Sequence, residues 1–312
     1  MRCRKCGEKA VIHLHQHRLA LCQAHFLQWL PEQIEHSIRR YKMFEKSDHV
    51  LVAVSGGKDS LALWDILHSL GYQTGGVYID LGIDAGISYS SRSRKIVQDF
   101  ASERNLPLHI INMEHDYQKT IPQLAEKSQR GQQKPCSVCG VVKRYLMNKA
   151  ALEGGYSVLA TGHNLDDEAA ILLMNMLSWS SHLLGRQAPV LEAREGFIRK
   201  VKPICRNYER ETAAYAMLKS IVVMQSECHY STGSAQIYYK HILNRMEDDH
   251  PSTKLNFYLG YLRARQSGAF SALPNPQTIA ADLTCPNCGQ PTTSAGLCAF
   301  CKIMSGKPQT TY

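Results

Sequence analysis

The pattern of apolar and polar positions along the chain predicts buried strands that alternate with amphipathic helices. Residues 50–54 form a continuous apolar run that ends in a polar loop, and apolar side chains then recur at helical spacing from Leu61 to Leu67. A segment that is apolar at every position is typical of a strand buried on both faces of a parallel sheet. The first predicted unit is therefore a strand, a loop and a helix.

The alternation continues along the chain. The next predicted strands are residues 75–81, 106–113 and 156–161. The next predicted helices are residues 91–104, residues 141–153 and the stretch that follows Glu168. Strands that alternate with helices predict an α/β fold with a doubly wound, mostly parallel sheet, which binds ligands at the carboxyl ends of its strands.

The polar loop after the first strand reads SGGKDS and comprises Ser55, Gly56, Gly57, Lys58, Asp59 and Ser60. Glycines let the backbone approach an anion closely, the free amides of the first helical turn point towards it, and the lysine adds positive charge. The spacing of a Walker A loop is absent. The segment therefore predicts a phosphate-binding loop of another type.

An acidic cluster follows the fourth predicted strand and comprises Asp166, Asp167 and Glu168. Carboxylates at a strand end that faces a nucleotide loop are placed to hold Mg²⁺ or to move a proton. Acidic residues in the first turn of a helix also complement the helix dipole, and that structural role stays open for one or two of the three.

Seven of the eleven cysteines, together with His25, fall into two terminal sets. The first is CxxC, fifteen residues and CxxH, formed by Cys3, Cys6, Cys22 and His25. The second is CxxC, nine residues and CxxC, formed by Cys285, Cys288, Cys298 and Cys301. A two-residue spacing lets both side chains of a tight turn converge on one ion, and four soft ligands close a tetrahedron. Both sets predict structural zinc sites.

The central cysteines form a set of a different kind. Cys136 and Cys139 make one CxxC, and Cys228 is the only further thiol to join them, so three thiolates leave one metal position open. The set predicts a [4Fe-4S] cluster with three protein ligands, a redox pair that carries persulfide sulfur, or a zinc site completed by His229 or water. Cys205 has no partner at ligand spacing and is expected to be a buried apolar residue.

The net charge of +9 indicates a polyanionic partner, most commonly nucleic acid. The first ten residues contain cationic side chains and two cysteines rather than the apolar core of a secretion signal, and no apolar run is long enough to cross a bilayer, so a cytoplasmic location is expected. The basic residues expected near the site are Arg92, Arg94, Lys95, Lys127, Arg130, Lys134, Lys143, Arg144, Arg199, Lys200, Lys202 and Arg206.

The loop SGGKDS after an apolar strand resembles the PP-loop of the N-type ATP pyrophosphatases, which split ATP into AMP and pyrophosphate. Together with the two zinc-type knuckles, PCSVCG, TGHNLDDEA and a lone later cysteine, it resembles the tRNA 2-thiolation enzymes of the TtuA type. The resemblance implies a zinc finger over residues 1–30, a PP-loop catalytic domain over residues 31–275 and a zinc ribbon over residues 276–312.

The same resemblance implies specific roles for residues of this chain. The terminal sets would bind two Zn²⁺ ions, and Cys136, Cys139 and Cys228 would bind the [4Fe-4S] cluster. The implied catalytic residues are Lys143 and Asp167. The implied ATP-binding residues are Ala53, Ser55, Gly56, Gly57, Lys58, Asp59, Ser60, Ile79, Gly162 and His163. Departures from the family pattern lie around residues 84–93 and at Cys205.

The implied reaction is ATP-dependent 2-thiolation of tRNA. ATP with Mg²⁺ would adenylate O2 of a uridine, ribothymidine 54 in the first instance, and sulfur would then reach C2 through the cluster. Lys143 would stabilise developing charge and Asp167 would bind Mg²⁺ or act as a base. The implied partners are tRNA, a ubiquitin-like sulfur carrier and a second copy of the chain.

Three alternatives stay open at this point. Wobble uridine 34 could be thiolated by the same chemistry. A PP-loop synthetase with a nitrogen nucleophile would use the same adenylation, although it would have no need for the central thiols. A non-catalytic zinc-ribbon RNA-binding protein would explain the knuckles and the charge, but it would leave SGGKDS and the three-thiol set without a purpose.

Overall fold

In the part of the chain that the computed structural model describes, six strands form one central sheet in the order β5-β4-β3-β6-β8-β7. The described residues are 1–84, 88–127, 131–132, 134–231, 234–268, 283–292 and 295–306. The strands are β3 (His49–Ala53), β4 (Gln73–Asp80), β5 (Leu108–Asn112), β6 (Val158–Thr161), β7 (Val190–Leu191) and β8 (Arg199–Val201). All neighbours are parallel except β7, which pairs antiparallel with β8. The predicted doubly wound, mostly parallel sheet is confirmed.

Helices cover both faces of the sheet. Those before the acidic cluster are α1 (Gln23–Arg40), α2 (Lys58–Ser69), α3 (Tyr89–Glu103), α4 (Met113–Tyr117), α5 (Ile121–Glu126) and α6 (Pro135–Glu153). Those after it are α7 (Leu165–Leu177), α8 (Ser181–Leu184), α9 (Glu209–Leu218), α10 (Ala235–Asp249), α11 (Thr253–Gln266) and α12 (Ala299–Ser305). None of the described helices is long and apolar enough to span a membrane.

The continuous apolar run of β3 reflects two separate cores. Val50 and Val52 belong to the core that includes α1, α2 and α9, whereas Leu51 belongs to the core beneath α5 and α6. Because successive side chains of a strand point to opposite faces, a strand covered on both faces must be apolar at every position.

The loops after β3 and β6 meet at a switch point in strand order. From β3 the sheet continues through β4 and β5, and from β6 it continues in the other direction through β8 and β7. The register pairs Ala53 with Thr161 at the carboxyl ends of the two strands. Such a switch point opens a crevice beyond the strand ends. The phosphate loop and the acidic cluster therefore flank one crevice.

The predicted strands are present, with ends displaced by one or two residues, whereas one helix begins six residues earlier than predicted. Residues 141–153 are part of α6, which starts at Pro135. Proline is favoured in the first turn because its missing amide is one that the helix leaves unpaired there. Cys136 and Cys139 therefore lie on a helix and not on a tight turn.

Two small hairpins carry the terminal cysteine sets. The first pairs β1 (Ile12–Leu14) with β2 (Leu19–Leu21), and the second pairs β9 (Leu283–Thr284) with β10 (Pro291–Thr292). The division into three domains at residues 30 and 275 remains a proposal, and the second boundary lies outside the described residues. Cys205 is fully buried, as expected for an apolar role.

Candidate active site between the phosphate loop and the central thiols

The phosphate loop is braced by its own hydroxyl groups. Ser60 Oγ donates to the carbonyl of Gly57 at 3.0 Å and accepts from the amide of Ser55 at 3.2 Å. Helix α2 starts at Lys58 directly after the glycines. Its first amides have no acceptor within the helix, so they are available to a phosphate at the positive end of the helix dipole.

Two glycines make the close packing of this loop possible. Gly56 has φ +81° and its missing side chain would lie 3.2 Å from Ser93 of α3. A side chain at Gly162 would lie 3.0 Å from the backbone nitrogen of Ser60, so the loop after β6 rests directly on the phosphate loop. Any larger residue at Gly162 would push these two loops apart.

Asp59 connects the loop to the helices behind it. Its Oδ1 atom accepts a hydrogen bond from Asn164 Nδ2 at 3.1 Å and another from the hydroxyl of Thr212. Burial raises the pKa of the Asp59 carboxyl, and the charge of Lys58 opposes that shift. Asn164 and Thr212 are fully buried, and neither was predicted as a site residue.

The three carboxylates of the acidic cluster have different environments. Asp166 is buried in an ion pair with Lys254 at 2.5 Å, and Glu168 is buried in an ion pair with Lys202 at 2.8 Å. Asp167 keeps partial solvent access and caps α7 through the amide of Asn164 at 3.2 Å. Asp166 and Glu168 are therefore partners in buried ion pairs, and Asp167, which also caps α7, is the carboxylate of the cluster that keeps solvent access.

A chain of charged side chains runs from Asp167 to the phosphate loop. Lys240 Nζ lies 2.8 Å from Asp167 and 2.9 Å from Glu209, whose other oxygen lies 2.6 Å from Lys58 Nζ. Burial alone would lower the pKa of Lys240, but Asp167 and Glu209 outweigh it and raise that pKa. Burial alone would raise the pKa of Glu209, but the charges of Lys240 and Lys58 outweigh it and lower that pKa to about 2.

Glu209 and Lys240 are site residues that sequence reasoning missed. Glu209 is the first residue of α9 and Lys240 lies in α10, so neither belongs to a recognisable motif. Both residues follow the last predicted strand, in a region for which the sequence predicted no element, and that position was the only indication of a role in the site.

The central thiols are gathered by α6 and by the segment after α9. Cys136 and Cys139 lie in the first turns of α6, and Cys136 Sγ contacts the carbonyl of Tyr230 at 3.2 Å. The backbone amide of Met224 donates to the carbonyl of Gly56 at 2.8 Å. Four residues of extended chain span at most about 14 Å, which keeps Cys228 close to the phosphate loop.

Lys143 follows Cys139 by one turn of α6, as the sequence predicted. Burial raises the pKa of the Cys139 thiol, while the nearby ammonium of Lys143 lowers it. The side chain of Lys143 is exposed, so it can turn towards the crevice.

The terminal cysteine sets have the geometry of tetrahedral zinc sites. The Sγ atoms of Cys6 and Cys22 are 3.7 Å apart, as are those of Cys288 and Cys298. Zinc–sulfur bonds of about 2.3 Å at tetrahedral angles put two sulfurs about 3.8 Å apart. Among the described residues, only these two sets bring at least three ligand atoms within 4.8 Å of one another.

The central set therefore lacks the spacing of a single-ion site. Cys136, Cys139 and Cys228 belong to the described residues but do not converge within 4.8 Å, and His229 does not complete a site with them.

The other predicted ATP-binding residues border the same crevice. Ala53 and Ile79 lie at the carboxyl ends of β3 and β4. His163 Nδ1 lies 2.9 Å from the hydroxyl of Thr161. Its ring keeps solvent access, yet the walls of the crevice desolvate it and, with the charge of Lys202, lower its pKa.

Several basic residues expected near the site instead hold the fold together. Lys202 pairs with Glu168, Arg199 with Glu192, Arg94 with Asp80 and Lys95 with Asp99. These contacts agree with the expectation that part of the basic set is structural. Arg130 lies outside the described residues.

Comparison with known proteins gives matches over nearly the whole chain. A PP-loop domain model matches residues 30–228, and a model of the N-terminal LIM domain of the 2-thiouridine synthetase TtuA matches residues 2–27. The tRNA-5-methyluridine(54) 2-sulfurtransferase of Thermus thermophilus is 43% identical over 97% of this chain and 91% of its own length. The enzyme of that name from Thermotoga maritima is 38% identical, over 97% and 96%.

A solved structure shares the fold. The U34-tRNA thiolase NcsA from Methanococcus maripaludis, with its [4Fe-4S] cluster, has a TM-score of 0.77 and 24% identity. The match covers 98% of this chain and 95% of that one.

Proposed function

The chain belongs to the TtuA-type family of PP-loop proteins, and from that premise we propose that it replaces O2 of 5-methyluridine 54 in tRNA with sulfur, using ATP. The observation that carries the proposal is the shared crevice. The phosphate loop and the segment that leads to Cys228 are joined by the hydrogen bond from Met224 to Gly56. A site that activates an oxygen with ATP and then delivers sulfur needs both parts within reach of one base.

The proposed reaction has two steps. O2 of the uracil attacks the α-phosphorus of ATP, and pyrophosphate leaves. A sulfur nucleophile then forms a bond to C2, the bond from C2 to the former O2 breaks, and AMP leaves with that oxygen. The amides at the start of α2 and the ammonium of Lys58 would hold the β- and γ-phosphates, and Asp59 would keep the loop docked on Asn164.

The remaining residues act around the base. Asp167 would bind Mg²⁺ or accept a proton, with Lys240 fixing the position of its carboxylate. Lys143 would stabilise negative charge on the activated base or on AMP as it leaves. Because the target base is stacked in folded tRNA, it must be turned out of the stack to reach this crevice.

The three central thiols fit a [4Fe-4S] cluster in their donor type, because three thiolates leave one metal position open, and they do not converge as the ligands of a single ion would. Such a cluster supplies an iron position without a protein ligand, at which sulfur can be carried as a nucleophile. In the persulfide version, Cys139 or Cys228 would carry the sulfur and a partner thiol would release it as a disulfide forms. The terminal sets would hold two structural Zn²⁺ ions.

The partners follow from the same proposal. The substrate would be tRNA, the sulfur would come from a ubiquitin-like carrier with a C-terminal thiocarboxylate, and the active form would be a cytoplasmic homodimer. The chain would divide into the three predicted domains.

One experiment tests the proposal directly. The protein is reconstituted anaerobically with iron and sulfide and incubated with ATP, sulfide and tRNA, and the thiolated nucleoside is located by mass spectrometry. Thiolation at position 54 with release of AMP and pyrophosphate is the expected result. Thiolation at position 34, or none while the cluster is intact, would overturn it.

A further inference from the structure

A second cavity lies on the opposite side of α6 from the central thiols. Its volume is about 620 Å³, within the size range of ligand-binding sites. Helix α6 forms one wall and the β7–β8 hairpin forms another. The third wall is the C-terminal zinc unit, which consists of β9, β10 and α12 with their four cysteines. The residues that α6 contributes, Val141, Arg144, Tyr145 and Asn148, recur at helical spacing and form one face of the helix.

The walls of this cavity are strongly cationic. The basic residues that line it are Arg144, Arg186, Arg194, Lys200 and Arg265. Glu192 is its one acidic residue among those that the structure describes, and its carboxylate lies 3.2 Å from Arg199 Nε. Among the lining residues that the structure describes, there are therefore five cationic side chains and one carboxylate.

The position of Lys200 shows how concentrated this charge is. Desolvation, together with the charges of Arg144, Arg186 and Arg194, lowers the pKa of Lys200 to about 8. A fold keeps cations together in this way at the cost of their mutual repulsion. An anion bound between them would remove that repulsion.

Aromatic rings complete the lining. The guanidinium of Arg194 lies 4.4 Å from the ring centre of Phe197 on the hairpin. Tyr145 stacks on Phe300 with ring centres 3.7 Å apart and thereby fixes the zinc unit on α6. Cationic side chains interleaved with aromatic rings are typical of surfaces that bind RNA, whose phosphates and unpaired bases they contact.

The cavity and the thiols are positioned by the same helix. With a rise of about 1.5 Å per residue, Arg144 lies about 7.5 Å along the axis from Cys139, on the far side of a helix about 10 Å wide. A few nucleotides of RNA can cover this distance. A base at the thiols and the neighbouring backbone in the cavity can therefore belong to one RNA molecule.

We propose that this cavity is a binding site for the phosphodiester backbone of tRNA, in which Arg186, Lys200 and the neighbouring arginines contact successive phosphates. This inference rests on the proposed function, because it takes tRNA as the substrate. It adds Arg186, Arg194 and Arg265, which sequence reasoning did not place near the substrate.

The test compares binding of a tRNA transcript by the full-length protein and two double variants over a range of salt concentrations. In R186Q/K200Q, two lining charges are removed. The matched control, R39Q/K149Q, removes two charges from ion pairs outside the cavity, with Glu35 and Glu153. Each lost phosphate contact should reduce the slope of log K against log salt by about 0.7–0.9.

The expected result is binding about tenfold to a hundredfold weaker in R186Q/K200Q, with a smaller salt slope, and near wild-type binding in the control. R186K/K200R should retain most of the affinity, and the zinc content and thermal midpoint should not change. Equal binding by wild type and R186Q/K200Q would overturn the inference. So would a loss confined to ATP binding or to sulfur transfer from a protein donor.

The proposed function and the assignment of the cavity can be overturned by different results. If the wild-type protein neither binds nor thiolates tRNA, the proposed function fails. If the wild type does both and R186Q/K200Q binds tRNA equally well, only the assignment of this cavity fails.

Discussion

Glu209 Oε1 lies 2.6 Å from Lys58 Nζ, so the lysine of the phosphate loop is already paired with a carboxylate. The second oxygen of Glu209 lies 2.9 Å from Lys240, which also contacts Asp167. A phosphate that takes over Lys58 must compete with Glu209. Lys58 and Asp167 are therefore linked through two intervening side chains.

Replacing Glu209 with glutamine should strengthen ATP binding, because Lys58 would lose its competing anion. A partly exposed ion pair is worth roughly 1 kcal/mol at most, which corresponds to about a fivefold lower dissociation constant. Calorimetric titration with ATP measures the change, with E114Q on the exposed helix α4 as the control. Weaker ATP binding in E209Q would mean that Glu209 itself contributes to the nucleotide site.

Adjacent carboxylates of the acidic cluster should respond in opposite ways. D166N breaks the buried ion pair with Lys254 and should destabilise the fold by about 3–5 kcal/mol. D167N should cost less stability than D166N, because an asparagine oxygen can still accept from the Asn164 amide, and it should lose thiolation. Denaturant unfolding and nucleoside analysis on both variants separate the two effects, and an active D167N would remove Asp167 from the mechanism.

Each central thiol should be required for turnover, whereas Cys205 should not. C136S, C139S and C228S are expected to lose activity and iron absorbance together. C205A is the matched control, since Cys205 is buried in the apolar core without ligand geometry. Full activity in a variant that has lost its iron absorbance would contradict the cluster and favour sulfur transfer without it.

The C-terminal zinc unit should stabilise α6. F300A removes the ring that stacks on Tyr145 and should destabilise the protein by about 3–5 kcal/mol, while F300L should cost much less. Zinc removal by a chelator should have the same effect on α6. Hydrogen exchange at residues 141–148 reports it, and unchanged protection after zinc loss would show that α6 holds its place alone.

Stability should fall as pH rises through a window set by Glu211. Burial raises the pKa of Glu211 from 4.5 to about 7, against the opposing contacts of Asn207, the Tyr208 backbone, Arg210 and Gln16. Between these values the folded state holds a proton that the unfolded state has released, so the free energy of unfolding decreases as pH increases. Burial lowers the pKa of His17, 3.9 Å away, below its ordinary value of 6.5, so His17 contributes a slope of the opposite sign that E211Q retains.

The measurement is the free energy of unfolding of wild type and E211Q between pH 4.5 and 7.5. The wild-type free energy of unfolding should fall relative to that of E211Q as pH rises, since the glutamine side chain does not titrate. A wild-type profile parallel to that of E211Q would mean that Glu211 titrates in its ordinary range.

Local sequence patterns were sufficient to predict the first half of the fold. Residues 50–54 are apolar at every position because β3 has a core on each face, and SGGKDS followed by Leu61 can only begin a helix after the loop. The zinc sets were equally local, since two-residue spacing brings thiols together on any short turn. In these cases, the chemistry depends on neighbours in the sequence.

The rest depends on contacts between distant segments. Lys240 reaches the site only because α10 packs against α7 beside Asp167. No spacing of residues in the sequence predicts that contact. The hairpin of β7 and β8 was missed because strands of two and three residues are too short for an alternating pattern. The predicted helix began at residue 141 and left PCSVCG outside it, although Pro135 is a good first residue for a helix.

Helix α6 presents the thiol ligands on one face and the basic cavity residues on the other. The number of residues between Cys139 and Arg144 sets the angle between these two faces, so selection should keep that number constant. One residue inserted between Cys139 and Arg144 would turn everything beyond it by about 100° and move it by about 1.5 Å. Arg144, Tyr145 and Asn148 would then leave the zinc unit and the hairpin. Length changes in this helix should therefore be tolerated only near multiples of a full turn, whereas the loops around it are free to vary.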